Sequence, residues 1–179
     1  MILKPDKTRG LECHVDADFA GGFSPQYSED ASACLSRTGY VLWYAGCPLL
    51  WASKMQTTIA LSTTEAEYMA LSAALREVIY VTQLLDELRS HEVGILPEDA
   101  LIKCKVFEDN VGALEMAKTP KLRPRTKHIA IQYHHFREYV KTKRVTIQHV
   151  GTNEQVADIF TKPLPRPQFE YLRKRLCGW

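Results

Sequence analysis

Long apolar runs are missing from this sequence of 179 residues, and its first ten residues are too polar to form the apolar core of a secretory signal. A membrane-spanning helix needs a run of about 18 or more apolar residues, and the sequence offers none. The opening stretch MILKPDKTRG also lacks the apolar core of a secretory signal. These absences argue against a spanning or secreted protein, so we expect a soluble, intracellular chain with no membrane partner.

The five cysteines show no spacing typical of a metal or redox site. The cysteines are odd in number and no two follow a C-x-x-C pattern. They are Cys13, Cys34, Cys47, Cys104 and Cys177. Most of them have apolar sequence neighbours, which favours buried reduced thiols over disulfide bonds or zinc ligands.

Charge is unevenly distributed, although the net charge is only +2. Residues 1–117 contain 9 Lys and Arg against 17 Asp and Glu, whereas residues 118–144 contain 9 against 1. A basic segment on an acidic body is typical either of a solvated surface or of a nucleic-acid contact. With 45% hydrophobic and 25% charged residues, the composition fits one globular domain with a substantial core.

The first part of the chain predicts three strands. Apolar Leu11, Cys13 and Val15 alternate with polar residues, as in a strand covered on one side. Two runs rich in aromatic and β-branched residues follow at 38–44 and 49–56, separated by a turn. This pair predicts a hairpin.

The middle of the chain predicts one long helix, and the rest predicts a mixture of strands and shorter helices. Ser62 precedes Glu65 by three residues, a capping-box spacing, and neither Gly nor Pro occurs from there to about His91. Further strands are predicted at 101–107 and 144–150, and further helices at 110–118, 127–141, 153–162 and 168–176. Strands before and between helices predict an α/β fold with a mixed sheet.

Four acidic residues stand at the ends of these strands or in the helices beside them. Asp16 follows the first strand and Asp109 follows the fourth. Glu67 lies in the long helix, and Asp158 lies in the helix after the fifth strand. Sites in open sheets gather at the carboxyl ends of strands, so Asp16 and Asp109 are expected near one. Each aspartate taken alone is more typical of a solvated or turn-forming residue than of a site.

Helix geometry distinguishes Glu67 from Glu65. At about 100° per residue, Glu67 falls at the centre of an apolar arc, whereas Glu65 lies about 160° away. The arc contains Ala70, Leu71, Ala74, Val78, Val81 and Leu85. Glu67 is therefore predicted to face the sheet and Glu65 to face solvent. No Lys or Arg shares the arc, so a metal ion, a tertiary Arg partner or protonation must satisfy the Glu67 carboxyl group.

Five sequence strings resemble the ribonuclease H domain of copia-type retrotransposon polyproteins, in the same order and over nearly the whole chain. They are VDADFAG (15–21), LSTTEAEYMAL (61–71), VFEDN (106–110), RTKHIAIQYH (125–134) and QVADIFTKPLP (155–165). The resemblance implies a ribonuclease H-like fold, in which helices flank a five-stranded mixed sheet whose first three strands are antiparallel. It also implies Mg²⁺-dependent endonucleolytic cleavage of the RNA strand of an RNA/DNA hybrid.

The resemblance also implies the site residues. It carries the family's four catalytic, metal-binding acids onto Asp16, Glu67, Asp109 and Asp158. Two Mg²⁺ ions are expected to bind them, and Mn²⁺ is expected to substitute. Asp18 is a rival for Asp16 because the string DAD offers two acids, and Glu108 is a weaker rival for Asp109.

Substrate contacts are implied in two further segments. The residues before the helix glutamate, Ser62, Thr63 and Thr64, are expected to contact the RNA backbone, and Ser62 is also an N-cap candidate. Phosphate contacts are expected from the basic residues Lys121, Arg123, Arg125 and Lys127. His149 is a candidate auxiliary residue for product release or proton transfer, although an ordinary strand-end histidine fits its position equally well.

The resemblance finally predicts the context of the chain. It implies a polyprotein-derived leader at 1–10, a ribonuclease H domain at 11–165 and a C-terminal helical tail at 166–179. The expected partners are an RNA/DNA hybrid and the reverse transcriptase domain of the same polyprotein, in cytoplasmic virus-like particles or in the nucleus. Two alternatives stay open: a catalytically silent ribonuclease H-like binding module, and another metal nuclease of the same superfold.

Overall fold

One mixed sheet of five strands forms the centre of the molecule. The computed structural model describes residues 3–6, 8–27, 29–91, 102–118 and 134–179. The strands are β1 (Leu11–Asp18), β2 (Arg37–Tyr44), β3 (Cys47–Met55), β4 (Cys104–Glu108) and β5 (Val145–His149). Their order is β3-β2-β1-β4-β5, with β1, β2 and β3 antiparallel and β4 parallel to both β1 and β5. The predicted fold class is confirmed.

The α-helices of the described residues lie close to the predicted positions. They are α1 (Thr63–Ser90), α2 (Val111–Lys118), α3 (Arg137–Lys141) and α4 (Arg166–Cys177). The long helix α1 begins where predicted because Ser62 Oγ accepts a hydrogen bond from the Glu65 N–H at 3.1 Å. The first part of the helix predicted at 127–141 lies outside the described residues, and its end forms a 3-10 turn at His134–Phe136 followed by α3.

Glu65 does not face solvent, so that prediction is wrong. Only 8% of the residue is exposed. Its carboxylate turns back over the start of α1 and accepts a hydrogen bond from the Leu61 N–H at 2.8 Å. A carboxylate at this end of a helix also interacts favourably with the helix dipole. The angular position around the helix axis could not reveal this, because the Leu61 N–H that the carboxylate binds lies before the helix.

The two faces of the sheet carry separate apolar clusters. The larger lies between the sheet and α1, where alternate residues of β1 from Leu11 to Ala17 meet apolar residues of α1 such as Leu71. The smaller lies on the opposite face and contains Val41, Trp43, Val156 and Leu172. Leu172 is fully buried, so apolar packing anchors α4 on this face. The predicted division between residues 165 and 166 stays a prediction.

The segment after β5 forms two short 3-10 turns, Thr152–Glu154 and Val156–Phe160, where one short helix is predicted. The buried side chain of Gln155 separates them. Its amide nitrogen donates a hydrogen bond to Val15 O at 2.7 Å, and its amide oxygen accepts one from the Ala157 N–H at 3.4 Å. Gln155 therefore ties the second turn to β1. We call Val156–Phe160 the site turn.

Cysteine placement agrees only in part with the sequence analysis. All five cysteines are free thiols, and Cys13 and Cys104 are buried in the core as predicted. Cys34, Cys47 and Cys177 are only half-buried, because each lies at an end of its element, where less of the chain covers it. Within the described ranges, no helix is both long enough and apolar enough to cross a bilayer.

Gly39 in β2 allows the site turn to lie directly against the sheet. A Cβ atom added at Gly39 would lie 2.6 Å from Thr161 Cγ2 and 2.8 Å from Phe160 Cβ. Both distances are well below the separation of about 3.5–4.0 Å at which carbon atoms pack. A side chain at position 39 would therefore push the end of the site turn away from β2.

Gly39→Ala is predicted to lower the free energy of unfolding by about 1–3 kcal/mol, because the turn and the strand must separate. Gly151→Ala is the matched control, since a Cβ atom there meets no atom within 4 Å and the φ of −69° suits alanine. Urea denaturation of both variants measures the difference. Equal urea midpoints for the two variants would show that the site turn does not need a glycine at position 39.

Candidate active site

Three carboxyl groups from three elements meet at the carboxyl ends of β1 and β4. Asp16 lies in β1, Glu67 in α1 and Asp109 directly after β4. One carboxylate oxygen of each lies within 4.8 Å of the others. The parallel register explains part of this, because His14 pairs with Phe107, so that two residues further on Asp16 lies level with Asp109. We call these residues the three-carboxylate group.

Asp158 in the site turn approaches Asp16 from the opposite face, and Lys162 links the two. Lys162 Nζ lies 3.0 Å from Asp158 Oδ1 and 3.6 Å from Asp16 Oδ2. The Thr161 hydroxyl donates a hydrogen bond to the same Asp16 oxygen. All four predicted acids therefore surround one place, with Asp158 joined to the others through Lys162.

Burial dominates the electrostatics of Glu67 and Asp158. Burial and, after it, the neighbouring carboxyl groups of Glu108, Asp16 and Asp109 together raise the pKa of Glu67 to about 11. Burial also raises the pKa of Asp158 to about 7, with Asp16 as the next contribution. Acids this close together and this poorly hydrated cannot all stay ionised unless other cations neutralise them, and without such cations some of them take up protons.

Lys162 supplies one such positive charge. Burial opposes the charged ammonium, but the Asp16 and Asp158 carboxylates together raise the pKa of Lys162 above its ordinary value. Burial raises the pKa of Asp16, and Lys162 and Thr161 offset part of that rise. Lys162 is therefore charged at neutral pH and lies against Asp16 and Asp158.

The donor atoms of the three-carboxylate group fit a hard divalent cation. Glu67 is 4% exposed, and its buried Oε2 has no hydrogen-bond partner within the part of the chain that the structure describes. An unsatisfied buried carboxylate oxygen is costly, and Mg²⁺ or Mn²⁺ prefers ligands of this type. The sequence left three ways to satisfy the Glu67 carboxyl group: a metal ion, an Arg partner or a proton. The raised pKa favours a proton when no cation is bound, and a cation shared with Asp16 and Asp109 could take its place.

The two rival acids have different surroundings. Asp18 folds over the following loop, where a Cβ atom added at Gly21 would lie 1.7 Å from Asp18 Oδ2. Glu108 is fully buried, its Oε1 accepts a hydrogen bond from the backbone N–H two residues further on at 3.1 Å, and burial raises its pKa well above the ordinary value. The three-carboxylate group contains Asp16 and Asp109, and whether these acids are catalytic stays a prediction.

The other predicted site residues lie around this place or outside the described residues. Ser62 and Thr63 are exposed at the start of α1, while Thr64 is half-buried against α2. His149 is exposed at the end of β5 and pairs in register with Glu108. Lys121, Arg123, Arg125 and Lys127 lie outside the described residues. The proposed roles of all these residues stay predictions.

Sequence reasoning missed Lys162, Thr161 and Gln155. The spacing of Asp158 and Lys162 was a usable signal, because residues four apart on a helical turn are neighbours. No local signal marked the other two. Thr161 meets Asp16 across 145 residues of sequence, and Gln155 meets Val15 across 140.

The sheet order and the placement of the acids define a ribonuclease H-like fold. The N-terminal RNase H domain of the Mycobacterium tuberculosis protein Rv2228c, solved as a fusion with maltose-binding protein, matches with a TM-score of 0.55 at 13% identity. The match covers 92% of this chain and 96% of that one, and at this identity it shows the fold alone. No protein-family model matches the chain.

The chain's homologues are retrovirus-related Pol polyproteins from plant transposons, as the resemblance predicts. The polyprotein of transposon TNT 1-94 from Nicotiana tabacum is 36% identical over 168 residues, which is 94% of this chain. The polyprotein of transposon RE2 from Arabidopsis thaliana is 34% identical over 177 residues, which is 98% of this chain. The chain spans 11% of the length of each polyprotein, and is thus homologous to one segment of them.

Metal-free Glu67→Gln protein is predicted to be more stable than the metal-free wild type at pH 7. The pKa of about 11 in the folded protein exceeds the ordinary value of 4.5, so the folded wild type holds a proton that the unfolded chain releases. Wild-type stability therefore falls as pH rises above about 4.5, and glutamine removes this loss. The expected gain is on the order of 2 kcal/mol at pH 7 and disappears toward pH 4.

Thermal and urea denaturation in EDTA at both pH values measures the gain. Asp18→Asn is the matched control, because it removes a nearby carboxylate outside the three-carboxylate group. Adding Mg²⁺ should stabilise the wild type more than Glu67→Gln. If Glu67→Gln is no more stable than the wild type at pH 7, the claim that burial raises the pKa of Glu67 is contradicted.

Proposed function

We propose that this chain is an endonuclease that hydrolyses the RNA strand of RNA/DNA hybrids during reverse transcription of a retrotransposon. The observation that carries the proposal is the three-carboxylate group, held within 4.8 Å at the carboxyl ends of two parallel strands. The ribonuclease H-like fold and the Pol polyprotein homologues support the same activity.

The site would hold two Mg²⁺ ions, for which Mn²⁺ can substitute. The three-carboxylate group would bind one ion, and Asp16 together with Asp158 would bind the other. Bound ions supply Lewis acidity that activates the attacking water and stabilises the charge on the leaving 3′ oxygen. The products would be 5′-phosphate and 3′-hydroxyl ends.

The contribution of the protein itself is to hold the acids in place and to exclude water. Asp16 is fixed by its pairing with Gly39 in β2, and Asp109 directly follows the paired strand β4. The helix α1, which packs on the sheet, carries Glu67 to them. The Thr161 hydroxyl fixes the orientation of Asp16. Because Asp16 and Glu67 are at most 4% exposed, the surrounding protein largely excludes water from these carboxylates.

Recognition of a hybrid requires contacts to a strand with 2′-hydroxyl groups and to a strand without them. We place the RNA backbone near Ser62, Thr63 and Thr64, which lie at the start of the helix that carries Glu67. The basic segment with Lys121, Arg123, Arg125 and Lys127 would contact phosphates. The reverse transcriptase domain of the same polyprotein is the proposed partner, within virus-like particles in the cytoplasm or in the nucleus.

A cleavage assay with a labelled RNA/DNA hybrid tests the proposal. The wild type should cut the RNA strand with Mg²⁺ or Mn²⁺ and should leave it intact in EDTA. Asp16→Asn should reduce cleavage to the level of the EDTA control, because it removes the carboxylate that both ions would share. Asp18→Asn is the matched control two residues away and should retain activity.

Other outcomes favour the alternatives. If the wild type binds the hybrid but cuts it no faster than Asp16→Asn, the chain is a catalytically silent binding module. If duplex DNA is cut as fast as the hybrid, the chain is another metal nuclease of the superfold. Either result would overturn the proposed specificity.

Binding of the hybrid should also depend on salt through the basic segment. Replacing Lys121, Arg123, Arg125 and Lys127 with glutamine should weaken binding and reduce the slope of log affinity against log salt by about 3–4. The control replaces four basic residues of α4, namely Arg166, Arg173, Lys174 and Arg175. Fluorescence anisotropy in EDTA over a range of salt concentrations measures both slopes, and equal slopes for the two variants would remove the segment from the interface.

A further inference from the structure

The ammonium of Lys162 occupies the space between two acids of the proposed site. Lys162 Nζ lies 3.0 Å from Asp158 Oδ1 and 3.6 Å from Asp16 Oδ2. Both aspartates are 1% exposed, whereas the lysine side chain is 32% exposed. The positive charge therefore enters from the solvent side and neutralises carboxylates that water barely reaches.

The backbone around Lys162 holds it at this position. The Lys162 N–H donates a hydrogen bond to Asp158 O at 3.2 Å, so the ion pair spans a single turn of the chain. The preceding residue, Thr161, is fixed by its hydrogen bond to Asp16 and by its close approach to Gly39 in β2. Lys162 is thus aimed at Asp16 and Asp158 by the same packing that positions the acids.

Asp16 belongs to two arrangements at once. On one side it is part of the three-carboxylate group, and on the other it shares Lys162 with Asp158. A cation could join the three-carboxylate group while the ion pair stays intact. A cation between Asp16 and Asp158 would need the place that the ammonium occupies, and like charges at this separation repel strongly.

We propose that Lys162 is the built-in counter-cation of Asp16 and Asp158, and that a divalent ion binding to this pair displaces the Lys162 ammonium. This inference rests on the proposed function only in taking the four acids as metal ligands. It makes Lys162 a positioning residue that controls the order of metal binding. The ion at the three-carboxylate group binds first, and the ion at Asp16 and Asp158 binds only at a higher metal concentration.

Titration of the protein with Mn²⁺ alone, followed by electron paramagnetic resonance, tests the displacement without measuring cleavage. The wild type should bind one ion more tightly than a second. Lys162→Met keeps the apolar stem and removes the charge, so it should tighten the weaker ion at least about tenfold, a change of about 1.4 kcal/mol. Lys162→Arg should leave the second ion weak, and Lys141→Met, an exposed lysine on α3, is the neutral control.

Metal-free stability distinguishes a counter-cation from an unconnected surface lysine. Without Mn²⁺, Lys162→Met should unfold at a lower temperature than the wild type, because Asp16 and Asp158 lose their neutralising charge. Saturating Mn²⁺ should abolish this difference. If the second ion binds Lys162→Met no more tightly than the wild type, the inference is overturned.

A second measurement uses the wild type, so it does not depend on the folding of a variant. Acylation of lysines followed by mass spectrometry should show Lys162 reacting slowly without metal and at least several-fold faster with saturating Mn²⁺. Lys141 should react at the same rate in both conditions. Unchanged reactivity of Lys162 would mean that no ion displaces it.

The outcomes separate this inference from the proposed function. A Lys162-dependent second Mn²⁺ site in a protein that cuts no hybrid would support the inference and overturn the nuclease proposal. If the protein cuts the hybrid but replacing Lys162 does not change Mn²⁺ binding, the nuclease proposal is supported and this inference is overturned.

Discussion

The exclusion of water from a crowded set of carboxyl groups is the constraint on which this end of the molecule depends. Asp16, Glu67 and Asp158 are each at most 4% exposed, and Asp109 lies beside them. Ionised carboxylates cannot accumulate in such a place without positive charge. The surrounding features answer this requirement: the Lys162 ammonium reaches in from solvent, the Thr161 hydroxyl binds Asp16, and Glu67 takes up a proton when no cation is present.

The same constraint links the packing of the fold to the proposed chemistry. Gln155 ties the site turn to β1, and Gly39 lets that turn rest on β2, so Asp158 and Lys162 are held against Asp16. Repulsion and poor hydration of buried carboxylates lower the stability of a metal-free protein and at the same time create affinity for cations. A site that is poorly satisfied alone is therefore well suited to divalent ions.

Part of this arrangement could be predicted from local periodicity, and part only from the resemblance. The apolar arc of α1 identified Glu67 as the inward acid. The ends of two predicted strands placed Asp16 and Asp109 where sites gather, but the resemblance was needed to choose Asp16 over Asp18 and to select Asp158. The burial of Glu65 could not be predicted, because it depends on how the chain folds over the helix start. The Lys162 ion pair and the Gln155 link were also missed, since they depend on the packing of the site turn against distant strands. The five matching strings, and not composition, indicated the function.

The most direct test of whether these buried acids form a metal site is a crystal structure with bound Mn²⁺. Crystals would be soaked in Mn²⁺, and diffraction data would be collected at the manganese absorption edge. An anomalous peak bound by oxygen atoms of Asp16, Glu67 and Asp109, at about 2.0–2.3 Å from each, is the predicted result. The claim would be contradicted if a crystal saturated with Mn²⁺ showed no anomalous peak at these residues and the Glu67 carboxyl group were hydrogen-bonded to another protein group instead.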